Sequence, residues 1–126
     1  MTKEEFLKRC KELESKGYKK NFKDGEKINS NGTHYYYKAI EYADDGYDGT
    51  RAINQLLFKI YNLEDYYDRV PPESMYAFEP VIMFSRTTDE RIDLTLSYPK
   101  FPVEYIEEKA KSFGEWAKEN IELIHY

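Results

Sequence analysis

Apolar residues recur at Phe6, Leu7, Cys10 and Leu13, a helical spacing that predicts a helix over residues 2–16. Thr2 and Glu5 fit a capping box at its start, each side chain satisfying the other residue's backbone N–H. Gly17 supplies a left-handed stop. Beyond it the period shortens. Asp24-Gly25 and Asn31-Gly32 are hairpin dipeptides that break up short extended pieces. Residues 33–43 alternate and are rich in Tyr, which predicts a strand with Tyr35, Tyr37 and Ala39 on one face and Tyr36, Ile40 and Tyr42 on the other. Residues 50–61, TRAINQLLFKIY, fit two periods. Ile53, Leu56, Leu57, Ile60 and Leu63 make a helical stripe, whereas Leu56, Phe58 and Ile60 make a strand face. The preceding DDGYDG is a natural strand connector and Phe58 to Tyr61 favours extended chain, so a strand is expected. NLEDYYD then has the make-up of one helical turn capped by Asn62 and ended by RVPPES.

The second half reads more simply. YAFEPVIMFS and RIDLTLSY are two strands joined by a turn at RTTDE. Pro99 and Pro102 end the second strand, and Pro102 suits the first turn of a helix. Val103, Ile106, Ala110, Phe113 and Ala117 form that helix's inward stripe, with Trp116 at its edge and Glu104, Glu107, Glu108, Lys111 and Glu115 on the solvated side. Both long helices are one-faced, so both should pack on one face of a single antiparallel sheet of about five strands. The expected class is α+β, in the order α-β-β-β-(α)-β-β-α, over residues 1–126 as one domain. In element order the chain resembles the secretion chaperones, small acidic dimers running helix, three strands, helix, two strands, helix. That resemblance covers most of the chain, lies in element order alone, and implies no site residue.

Composition narrows the function classes. Aromatic residues make up 17% of the chain, with 13 Tyr, which excludes disorder and suits amphipathic surfaces. The net charge is −5, unevenly spread: residues 1–40 hold ten Lys and Arg against six Asp and Glu, and the remainder nine against eighteen. An acidic total argues against nucleic acid as the main partner. There is no apolar run of membrane or signal length, and a soluble cytoplasmic protein is expected. The single cysteine, Cys10, falls on the inward stripe of the first helix, where it packs as a small hydrophobe.

Chemistry-bearing clusters are few. Glu41, Asp44, Asp45 and Asp48, with Gly46 and Gly49, have the composition of a calcium loop but neither its spacing nor its distal glutamate. A polar hairpin loop accounts for the same residues, and no cofactor or metal is expected. Cys10 and His34 lack a third residue to orient a base, and His34 with His125 and Cys10 is a thin set for zinc. Arg86, Asp89, Glu90, Arg91 and Asp93 crowd one hairpin, where turn chemistry and cross-strand ion pairs explain them. GYKKNFK interleaves Tyr18 and Phe22 with Lys19, Lys20 and Lys23, as in a single-strand platform, or as in an edge strand with rings in and lysines out. No phosphate loop, nucleophile elbow or dinucleotide fingerprint occurs.

One helical layer can cover only one sheet face. The other must carry tyrosines, the residue favoured at protein interfaces. The expectation is therefore a non-enzymatic protein-binding module: an adaptor, chaperone-like or inhibitory protein, of a kind common among phage and mobile-element accessory proteins. Tyr36, Tyr42 and Tyr61 would form its surface, flanked by Asp44, Asp45 and Asp48, and hold a protein partner or a second copy. The alternatives are a small-ligand binder or enzyme with Arg86, Arg91 and Asp93 in a pocket between sheet and helices, and a binder of single-stranded nucleic acid.

Overall fold

A computed structural model describes residues 1–44, 50–64, 71–87, 90–96 and 102–124. In chain order the elements are helix α1 (Lys3–Ser15), strands β1 (Lys19–Lys20), β2 (His34–Asp44) and β3 (Thr50–Asn62), a 3-10 turn (Pro72–Ser74), strands β4 (Tyr76–Thr87) and β5 (Glu90–Thr95), and helix α2 (Val103–Ile124). The strands make one antiparallel sheet in the order β1-β2-β3-β4-β5. The α+β class and the placing of both helices on the sheet are as the apolar spacing requires. Residues 50–61 are strand. The helical turn expected after Asn62 lies outside the described residues, although Asn62 Oδ1 does accept from the Glu64 N–H at 3.1 Å.

The signals at α1 act as written. Thr2 N–H donates to Glu5 Oε1 at 3.0 Å and Glu5 N–H returns to Thr2 Oγ1 at 3.2 Å, so two N–H groups with no helical partner are satisfied. At the other end Gly17 takes φ +87°, and Tyr18 N–H turns back to the Leu13 carbonyl. Phe6, Cys10 and Leu13 are buried. Leu7 is not: it is 47% exposed, because a stripe at i, i+4, i+7 already fills the contact and Leu7 falls beside it. In α2 the side chains of Val103, Ile106, Ala110 and Ala117 are buried and Phe113 is half-buried, while Trp116 stays exposed at the edge.

Helices and sheet enclose two apolar clusters. The larger contains Phe6 and Leu13 from α1, Tyr36, Leu56, Phe58, Ile60, Phe78 and Ile82 from the sheet, and Val103 and Ile106 from α2. The smaller joins Ile53, Phe84 and Ala117, and Phe113 packs against both. Two opposed bulges shape the sheet beneath α2. Between Ala39 and Glu41 strand β2 carries an extra residue, Ile40; between Asn54 and Ala52 strand β3 carries one, Ile53. The second restores the register that the first shifts. Between them Asn54 is brought under α2, where its Nδ2 donates to the Ala110 carbonyl at 2.8 Å.

Candidate functional site

Register fixes which residues share the face away from the helices. Tyr36, Phe58 and Pro80 stand in one row on the covered side, as do His34, Ile60 and Phe78. Alternation therefore puts Tyr35 and Tyr37 of β2, Gln55, Leu57 and Lys59 of β3, Val81 and Met83 of β4, and Arg91, Asp93 and Thr95 of β5 on the opposite side. Beyond the bulges Tyr42, paired with Ala52, lies on that side too, bordering the same surface depression as Tyr37, Ala39 and Gln55.

Tyr36 is the correction. It is 1% exposed, sits in the larger core cluster, and its hydroxyl donates to Glu14 of α1 at 3.0 Å. Burial is the main cause that pushes its hydroxyl pKa up. The helices cover the parity opposite to the one expected, so Tyr35 and Tyr37 occupy the open face, their rings edge-to-face at 5.8 Å. Tyr42 is 62% exposed on that face. Tyr61 is half-buried there, with its hydroxyl on Glu79 at 3.0 Å and its ring against Gly32.

At the centre of this face lie Leu57 and Val81, paired across β3 and β4. They are only 7% and 5% exposed, yet belong to neither cluster beneath the helices. From the sequence Leu57 enters only the helical alternative for residues 50–61, and Val81 only the strand YAFEPVIMFS. The signal was present: Leu56-Leu57-Phe58 and Pro80 to Phe84 are unbroken apolar runs, and a strand apolar on successive residues has two apolar faces.

The charged candidates disperse. Arg91 and Asp93 form a two-pronged pair, Nε to Oδ1 and Nη2 to Oδ2 at 2.9 Å each, on the open face and not between sheet and helices. The Arg86 side chain lies outside the described residues, as do Asp45 and Asp48, while Asp44 ends β2. Glu41 pairs with Lys118 of α2. His34 Nε2 meets Glu26 Oε2 at 2.5 Å. Burial pushes the Cys10 thiol up to about 11, the opposite of what a nucleophile needs. Among the described residues no group of three or more His, Cys, Asp and Glu side chains is placed to hold a metal ion. Tyr18 is buried with its hydroxyl on Glu107, and Phe22 packs edge-on against Tyr36, so neither ring is presented as a base platform would be.

One cleft of about 410 Å³ opens between α1, the loop 22–28 and the sheet, with Cys10, Tyr36 and Tyr76 in its lining. Comparison with protein-family models, with curated proteins and with solved structures found no match for this chain. Among the described residues no helix is long and apolar enough to cross a membrane.

Proposed function

We propose that this protein is a non-enzymatic binding module whose working surface is the sheet face away from the helices. The observation that supports this most is the make-up of that face. Leu57 and Val81 form its centre, with Tyr35, Tyr37, Tyr42 and Met83 around them, while both helices are spent on the other side. Leu57 and Val81 are already buried within the single chain, so a partner would cover the part-exposed Tyr35, Tyr37 and Met83 and the exposed Tyr42. Rings and Met are enriched at interfaces.

The occupant we favour is a second copy of the chain. A two-fold interface brings the same patch against itself, so its charges must balance within the patch. Lys19, Lys59 and Arg91 stand with Glu79 and Asp93 here, three cations to two carboxylates, so such a face can meet its own copy with most of its charges opposed by the other sign. The flanking Asp44, Asp45 and Asp48 expected from the sequence contribute nothing to this argument.

Sedimentation equilibrium tests the reading. The wild type should associate reversibly, and Tyr37→Ser with Tyr42→Ser should weaken association by about 2 kcal/mol or more, the size of an interface hot spot. The double variant should still melt cooperatively. A wild type that stays monomeric at high concentration, or a double variant that associates equally well, sinks the proposal.

A further inference from the structure

We infer that the cleft beside α1 is a binding site for a small amphipathic anion, an aromatic or aliphatic body carrying one carboxylate or sulfonate. This does not rest on the open-face reading, since the cleft lies on the helix-covered side. Its volume of about 410 Å³ is within the range of small-molecule sites. Phe6, Phe22, Ile28 and Tyr76 supply an apolar lining, and Leu7, exposed beside them, extends it.

The charge around the opening is one-sided once internal partners are counted. Five lysines line it: Lys3 and Lys11 from α1, and Lys20, Lys23 and Lys27 from the facing loop and β1. Three carboxylates line it too, and each is already engaged. Glu14 accepts from Tyr36 and Lys20, Asp24 pairs with Lys20, and Glu26 meets His34. Among the described residues no carboxylate pairs with Lys3, Lys11 or Lys23.

Lys3, Leu7 and Lys11 recur every four residues, so they stand in one row along the helix beside the cleft. Lys23 faces them from the loop. An anion at the mouth would meet cations from both walls while its apolar body lies over the rings. Half of the ten basic residues among the first forty line this opening.

Anilinonaphthalene sulfonate, an aromatic monoanion, is the probe. Fluorescence titration of the folded protein should show one saturable site. Lys3→Glu with Lys11→Glu and Lys23→Glu should lower its affinity tenfold or more without loss of the cooperative melt, since all three side chains are exposed. Neutral N-phenylnaphthylamine should bind the wild type at least tenfold more weakly than the sulfonate. Tyr37→Ser with Tyr42→Ser should leave sulfonate binding unchanged. The inference is overturned by no saturable binding, by equal affinity for the neutral probe, or by equal affinity in the lysine variant. Loss of binding in the tyrosine variant would place the probe on the open face and overturn it equally.

Discussion

Gly25 and Gly32 both adopt left-handed backbone, at φ +80° and +69°, and both stand in Asx-Gly pairs. Only their surroundings differ. A Cβ on Gly25 would meet nothing within 4 Å, whereas one on Gly32 would lie 2.6 Å from the Tyr61 ring. Gly25→Ala should therefore cost about 1 kcal/mol, the left-handed penalty alone. Gly32→Ala should cost about 3 kcal/mol or more, because a ring tied to Glu79 must also move. Urea unfolding of the two variants checks the difference. Cys10 offers a test in pH. Its thiol rises from an ordinary 9.0 to about 11 in the folded state, which favours the neutral form. The resulting stability is full below pH 9 and lost as pH climbs towards 11. Cys10→Ala should flatten that part of the pH–stability curve, measured by denaturant titration at several alkaline pH values. The two glycine turns and the inward Cys10 were legible in the sequence, as was the alternation of rings along residues 35–42, but which parity of those rings faces inward depends on where the helices land.

The elements themselves were far more legible. Capping box, glycine stop and apolar stripe located α1, and Pro102 with an apolar stripe located α2, since each is a local signal with a local cause. Strand β3 was the ambiguous case, and its two-sided apolar run settled as the central strand of the sheet, where both faces are in demand. What local signals could not show is the fit between α2 and the bulged part of β3. Gly114 is buried in mid-helix, where Ala would ordinarily be better by about 0.5–1 kcal/mol. Here a Cβ would collide with Asn54 Nδ2, which bonds the Ala110 carbonyl. Asn54 Oδ1 is itself buried without a partner among the described residues. Gly114→Ala should thus destabilise by about 1–2 kcal/mol as packing strain outweighs helix propensity. In an Asn54→Ala background the same substitution should stabilise. A double-mutant cycle by thermal melting reads the coupling, and strict additivity would show that the two residues do not meet as described.

For the molecule as a whole, the aromatic content and the single helical layer made an exposed sheet face foreseeable, while the α1 cleft was not, because its walls come from segments without a shared pattern. If the open face joins two copies, the melting temperature should rise with protein concentration, an effect the tyrosine double variant should lose. The strand order β1 to β5 has a further effect, on how the chain comes to be folded. Every strand pairs with its immediate successor, so the sheet grows by short loop closures and needs no long-range crossover. Synthesis, however, delivers α2 after all five strands. A nascent sheet must therefore wait with only α1 on its inner apolar side and the part beneath α2 uncovered, and that interval is when the chain is most exposed to aggregation and to capture by chaperones.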